Sequence, residues 1–278
     1  MSDMLVHDPL ADHRFLGSRQ VGEARWEVPV TPHLVSPSGG LYGGAGIAAA
    51  IAAMESVTGR PLRWVTVQFS SSAQVGDVLD VGVSVDTEGR RITQATAVAA
   101  VGDRVVVRAM AALGEARGDA PRGAWVTMPD VPEPEDCPAS GFPVDTTDTF
   151  METMERRRAE GPGWEDFLTH GARPAGFRIC MWARTPGYDA GSPAMLSWLA
   201  DMVPMAIAGG VGEPVGGTSL DNTLRMVERR RCEWVLLEVR PTATADGYGY
   251  GEAHLWAPDG TLLATASQTA IVRTWRLG

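Results

Sequence analysis

The stretch Gly39-Gly-Leu-Tyr-Gly-Gly-Ala-Gly-Ile-Ala-Ala-Ala-Ile-Ala-Ala-Met-Glu-Ser-Val57 decides how this chain reads. A loop with glycines at 39, 40, 43 and 44 runs straight into residues 45–57, where small and apolar side chains crowd every face. That pattern predicts a buried helix rather than an amphipathic one, and Gly59 and Pro61 stop it. Upstream, residues 26–30 (Trp-Glu-Val-Pro-Val) predict a short strand. Downstream, residues 62–69, 78–85, 92–100 and 104–113 predict four strands in a meander, with turns at Glu88-Gly89 and Gly102-Asp103.

The second half resembles the first. Residues 150–158 predict an opening strand or a helix, and 177–183 a strand. An apolar helix follows over 193–208, with Pro193 at its start, where a missing N–H costs nothing, and Pro204 kinking or ending it early. Four strands are expected over 219–227, 232–240, 248–256 and 262–272, with hairpin signals at Asp246-Gly247 and Asp259-Gly260. The spacing repeats: Gly89 lies 20 residues after Phe69, and Gly247 lies 21 after Met226. Arg104 and Thr261, which open the last strands, each lie 35 residues after Phe69 and Met226. Matching intervals indicate a duplicated unit, a helix wrapped by an antiparallel sheet, and two such sheets can pair edge to edge. The expected organisation is an N-terminal unit over 1–117, a linker over 118–144 and a C-terminal unit over 145–278. Prolines recur in the linker from Pro121 to Pro143 among Gly, Asp and Glu, which predicts an extended segment without a packed core.

Composition limits the function. With 44% hydrophobic and 21% charged residues the chain is ordinary for a globular protein. Its net charge of −10 repels phosphate backbones, so nucleic acid is not an expected partner. All 24 basic residues are arginine, which removes Schiff-base and lysine-nucleophile chemistry. Three widely spaced cysteines, Cys137, Cys180 and Cys232, fit a reducing compartment better than a disulfide framework. The longest apolar run, Ile47 to Met54, falls far short of the roughly 20 residues that span a bilayer, and the N-terminus lacks a signal-peptide pattern. These features predict a cytoplasmic protein without membrane insertion. The five histidines have no metal-ligand spacing, and no Gly-x-Ser-x-Gly elbow occurs.

The helix and strands preceded by Gly39-Gly40-Leu41-Tyr42-Gly43-Gly44 resemble the N-terminal hotdog of the acyl-CoA thioesterase II-like family. Leu199-Ala-Asp-Met-Val-Pro204, Ser219-Leu-Asp-Asn-Thr-Leu-Arg-Met226 and Ala264-Thr-Ala-Ser-Gln-Thr-Ala-Ile-Val-Arg273 resemble its C-terminal hotdog, and the linker segment Glu135-Asp-Cys-Pro138 fits as well. The resemblance covers most of 36–275 and implies an α+β double hotdog that hydrolyses an acyl-CoA or acyl-carrier thioester without metal or redox cofactor. It implies three water-positioning residues: an Asp on the helix, matching Asp201; a hydroxyl residue opening the next strand, matching Ser219; and a Gln on the last strand, matching Gln268. Ser219 stands where Thr is commoner, and Thr218 is next to it. Met226 replaces an aromatic residue. Hotdog sheets often pair further, which makes a homodimer a possible assembly.

Each residue also has a plainer reading. Asp201 lies among Met195, Leu196, Trp198, Leu199, Met202 and Val203, where a carboxylate is costly unless it is paired or functional; such a group can take a proton from an attacking water. Its plain reading is a solvent-facing helix position. Ser219 and Gln268 could hold that water or the carbonyl, or be ordinary polar strand residues. The N–H groups of Gly43 and Gly44 could face the thioester oxygen at the positive end of a helix, or the glycines could simply allow close packing. Arg156–Arg158 and Arg229–Arg231 could meet phosphates or be solvated edges. The first helix carries Ala50 to Ala53 in place of Asp201, with Glu55 too late in register, and Ala111 stands opposite Gln268, so one catalytic set per chain is expected. Met54, Trp64 and Phe69 would then shape the acyl pocket or serve as core. Two rival functions remain in view: a hydratase or dehydratase of the same fold, which typically needs a His with an Asp, and a non-catalytic acyl-thioester binder, which predicts Asp201 in solvent or in a structural ion pair.

Overall fold

The computed structural model describes residues 9–118, 120–141, 145–163, 171, 173–213 and 215–274. Two elements that the sequence reading lacked come first, α1 (Pro9–Leu16) and β1 (Arg19–Gly22), followed by β2 (Arg25–Pro29). The buried helix α2 runs over Gly43–Thr58, starting at the glycine pair itself. It ends on Gly59, whose φ of 62° is left-handed backbone that glycine enters without steric cost. Strands β3 (Leu62–Phe69), β4 (Val78–Glu88), β5 (Ile92–Val101) and β6 (Arg104–Gly114) follow. They do not form a four-strand meander. β2 already pairs with β4, so β3 crosses to the far side and pairs with β6.

In the second half the chain makes a 3-10 turn at Phe150–Glu152, capped by the Thr149 hydroxyl, before β7 (Glu155–Glu160) begins. The strand expected from 150 therefore starts five residues late. β8 (Ile179–Arg184) leads to two helices rather than one, α3 (Pro193–Ala200) and α4 (Val203–Val211). Pro204 has no N–H to give the carbonyl four residues back, and its ring crowds that carbonyl; the helix breaks at Asp201-Met202. Taken together, Pro193–Val211 is a longer apolar stretch than Ile47–Met54, at 19 residues and a mean hydropathy of 1.4, and 72% of it is buried inside the protein. Strands β9 (Val215–Ser219), β10 (Asp221–Met226), β11 (Val235–Ala245), β12 (Tyr248–Trp256) and β13 (Leu262–Thr274) complete the chain. The β11–β12 turn has positive φ at Asp246 (54°) and Gly247 (81°), the geometry that matches strand twist in a two-residue hairpin.

All the described strands belong to one antiparallel sheet in the order β1-β2-β4-β5-β6-β3-β10-β13-β12-β11-β8-β7, with β9 alongside β13. The order is palindromic: β2, β4, β5, β6 and β3 correspond to β8, β11, β12, β13 and β10. The halves meet where β3 pairs with β10, Thr66 opposite Thr223, and the two hydroxyls share a hydrogen bond of 2.8 Å. The helices lie on one face of this sheet, where a single core draws on both halves, including Ile47, Ile51, Met54, Val65, Leu196 and Leu237. The fold is an α+β double hotdog.

The 118–144 segment is not merely an extended tether. Strands β8, β11 and β12 alternate, so Cys180, Trp182, Leu236 and Trp256 point away from the helices. Met128, Val131 and Cys137 cover them in a second core, and the Trp182 indole donates to the Pro132 carbonyl at 2.9 Å. Prolines leave carbonyls unclaimed by local structure, and the tryptophans provide both the apolar surface and the donor. Cutting Trp182 to Ala should cost about 3–5 kcal/mol, the usual range for losing a buried tryptophan. Chemical denaturation would show that loss, and faster proteolysis between 118 and 144 would show that the segment had detached.

Candidate active site

The break between α3 and α4 sets the position of Asp201. The residue caps α3 with φ −75° and ψ 34°, so its side chain leaves the helical row and turns toward the N-terminus of α2. Its Oδ2 accepts the Gly44 N–H at 2.8 Å. Such a close approach needs glycine. A Cβ at Gly43 would stand 2.5 Å from Asp201 Oδ2 and 2.9 Å from Phe69, and one at Gly44 would stand 2.8 Å from the Trp198 carbonyl. The Gly-rich loop is thus a notch that admits a carboxylate from the other half. The Gly44 N–H, expected to face a thioester oxygen, is committed to Asp201 because the first-turn donors of a helix have no internal partner and take the nearest anion.

Gln268 on β13 supplies the other side. Its Nε2 donates to Asp201 Oδ1 at 2.5 Å and to Ser219 Oγ at 2.6 Å, while its Oε1 is buried without a hydrogen bond. Ser219 does not open a strand. It ends β9, and the chain bends at Leu220 before β10 begins. The bend is where β3 joins: Phe69 N–H donates to the Leu220 carbonyl at 3.0 Å, and Leu220 N–H to Thr269 at 2.9 Å. Asp221 holds the same corner by accepting the Thr269 N–H at 2.8 Å. Adjacent strand residues point to opposite faces, so with Ser219 on Gln268, Thr218 is exposed and outside the site. Trp64 alternates with the inward Val65 and Val67 and faces the outer side of the sheet, whereas Phe69 stays against Gly43. Met54 is part of the core.

Two further residues border Asp201 that the sequence reading did not single out. Tyr42 stacks on Phe150 at 3.7 Å, and its hydroxyl donates to the Trp198 carbonyl at 2.8 Å, in the last turn of α3 just before the break. Burial, with the Asp201 charge adding, pushes the Tyr42 phenol well up, so it stays protonated and able to donate. Asn222 on β10 shares the inward face with Leu224 and Met226 and is 1% exposed. Only the motif around it, Asp221-Asn-Thr, hinted at Asn222; nothing local distinguishes Tyr42 from an ordinary core aromatic.

Asp201 is 6% exposed. Burial pushes its pKa up to about 7, against the opposing pull of the hydrogen bonds from Gln268 and Gly44 and of the polar side chains of Asn222 and Ser219 beside it. Its partners are neutral donors, and among the described residues it makes no ion pair. Glu55, by contrast, is structural: it accepts Leu62 N–H at 2.6 Å and pairs with Arg229 at 2.7 Å. Arg230 pairs with Asp259, and Arg157 with Glu155, so these members of the two arginine runs are tied into the fold. An open groove of about 630 Å³ lies at the other end of α2, among Thr58, Arg60, Arg90, Arg91 and Arg117, and does not touch Asp201.

A carboxyl whose folded pKa is raised contributes stability that is complete below its unfolded range and is lost as pH rises through about 7. Asp201→Asn removes that dependence. Denaturation midpoints at pH 5 and pH 8 should therefore show wild type losing stability relative to the variant, by up to about 3 kcal/mol. Parallel pH curves for the two proteins would contradict the buried, raised carboxyl.

The sequence profile for the N-terminal domain of acyl-CoA thioesterases matches residues 31–114, and that for the C-terminal domain matches residues 134–272. Among solved structures, a protein of Novosphingobium aromaticivorans DSM 12444 with a provisional thioesterase assignment superposes with a TM-score of 0.82 at 32% identity, covering 92% of this chain and 98% of its own. A hot dog fold protein of unknown function from Alicyclobacillus acidocaldarius gives 0.81 at 22% identity, covering 98% and 100%. The tesB protein of Mycobacterium avium subs paratuberculosis gives 0.74 at 20%, covering 96% and 100%. No curated protein sequence matches the chain.

Proposed function

The chain belongs to the acyl-CoA thioesterase family and is a thioester hydrolase; from that premise we propose that Asp201 is the general base that activates water against the acyl carbonyl of an acyl-CoA. The observation that carries the reading is a buried carboxylate without an ion pair among the described residues, held by the amide of Gln268 and the N–H of Gly44; burial raises its pKa. A base works best when its pKa is near the working pH, and about 7 suits that role.

The remaining groups have matching capacities. Gln268 spends both amide hydrogens on Asp201 and Ser219, leaving its buried Oε1 to accept from the water. Ser219 Oγ lies on the same amide and can hold that water beside Asp201. Water oxygen attacks the carbonyl carbon as Asp201 takes its proton. Collapse of the tetrahedral intermediate breaks the C–S bond, and the proton on Asp201 passes to the departing thiolate, giving a free acid and a thiol. Gly43, whose N–H opens α2, remains a substrate-side donor in this scheme, and Phe69 beside it contributes apolar wall.

The neutral surroundings of Asp201 speak against the binder with a structural ion pair. A lyase dyad would need a histidine at the carboxylate. Of the described histidines, His13 bonds Ser18 and Ser56, His33 is exposed, and His254 bonds Glu238 on the outer face. His7 and His170 lie outside the described residues.

Thiol release from a panel of acyl-CoAs tests the mechanism. Asp201→Ala should lower kcat at least about 100-fold while remaining folded, since a positioned base is worth 10²–10⁴. In wild type, kcat/KM should rise with pH and level off above about 7, because the base must be ionised. A wild type that releases no thiol at any chain length, or an Asp201→Ala variant that keeps its rate, would refute the reading.

A further inference from the structure

Attack on a thioester puts negative charge on the carbonyl oxygen, and that oxygen needs donors that are not otherwise engaged. Apart from the Gly43 N–H at the start of α2, left to the substrate side above, the donors around Asp201 can be counted. Both Nε2 hydrogens of Gln268 are committed, to Asp201 and to Ser219. The Gly44 N–H is committed to Asp201 Oδ2, and the Tyr42 hydroxyl to the Trp198 carbonyl. Trp198 Nε1 is buried without a hydrogen bond, but its ring is edge-on to Phe15, Tyr42 and Phe150 in an aromatic cluster. Asn222 differs. Its Nδ2 is buried and has no hydrogen-bond partner among the described residues, yet the amide lies close enough to Asp201 to favour its ionised form. A buried amide donor left unmade costs about 1–3 kcal/mol, and proteins keep few of them.

We propose that Asn222 is a catalytic residue of this enzyme, its side-chain N–H donating to the thioester carbonyl oxygen as charge develops there. The inference rests on the hydrolase reading above and extends it to the electrophile. Placement favours the role. Asn222 is three residues beyond Ser219, past the bend at Leu220, and lies opposite Val67 on β3. It therefore faces the site from the strand that joins the halves, while Asp201 and Gln268 approach from the helix break and β13. As water adds to the carbonyl carbon, the C=O pair moves onto oxygen and the Asn222 N–H takes up that charge. When the C–S bond breaks, the pair returns to the carbonyl, and the amide ends unchanged.

The test is steady-state hydrolysis of an acyl-CoA by wild type, Asn222→Ala and Asn222→Leu, with thermal or chemical denaturation of each. Loss of one such donor typically costs 10²–10³ in kcat, so both variants should fall by that factor with KM changed less than about threefold. Asn222→Leu fills the space with apolar atoms and removes an unmet donor, so it should unfold no earlier than wild type while still losing kcat. A structural role would give the reverse: an earlier unfolding midpoint and a retained kcat. Removing the amide also removes a group that favours ionised Asp201, so the rising limb of kcat/KM should move to higher pH. Wild-type activity with either folded variant retaining kcat within about threefold would overturn the proposal and leave the general base standing. Failure of wild type to hydrolyse any acyl-CoA would overturn both.

Discussion

A carboxylate taken out of water must be held by fixed donors, and here those donors come from both halves of the chain. Asp201 belongs to the second half, Gly44 to the first, and Gln268 to the strand beyond the seam. The contact demands that α2 and the end of α3 come within van der Waals distance, which explains why α2 opens on paired glycines and why Pro204 interrupts the second helix. An uninterrupted helix would leave Asp201 in a helical row, facing whatever that row faces. The break frees it to point at a helix N-terminus, where partial positive charge and open N–H groups offset part of the desolvation.

The sheet makes that contact possible. Because β3 crosses to the edge of its own half, its free side is available to β10, and the two halves share a continuous ladder rather than a docked surface. The bend at Leu220 sits on the same seam, so the strand pairing that joins the halves also turns Ser219 toward Gln268. Architecture and site are fixed by one set of hydrogen bonds. The outer tryptophans, covered by the proline-rich segment, serve a separate purpose: they give the second half a core on both faces, the arrangement usual for strands buried on two sides.

Much of this was legible in the residues. β3 and β12 fall on their expected spans because alternation and flanking turns marked both ends. The duplicated spacing disclosed the double unit, and an aspartate among Met, Leu and Trp marked itself by its cost. What the sequence withheld was tertiary. The crossing of β3 depends on which edge β2 occupies. Asn222 and Trp64 look alike in a half-buried strand until the face is known, and the bulge near Leu62 shifts that face. The expected linker hid its packing because prolines and acids mask the few apolar residues, Met128, Val131 and Cys137, that dock on tryptophans distant in sequence. Helix α1 and strand β1 are short and weakly patterned, and take their structure from the body they lean on.

The glycine notch has a consequence for inheritance. In an assembly of two identical hotdog chains, each copy would carry its own notch and its own aspartate, and any substitution would strike both sites at once. Fusion removes that constraint. The first half of this chain has kept the notch and lost any need for a carboxylate. The second keeps the carboxylate, and its helix α3 opens on Ser192, Pro193 and Ala194 rather than on paired glycines. Each half is complementary to its neighbour rather than equivalent to it. Variation at Gly43 or Gly44 is tolerable only as far as the depth of the Asp201 side chain allows, and the two halves descend as a matched pair, not as exchangeable modules.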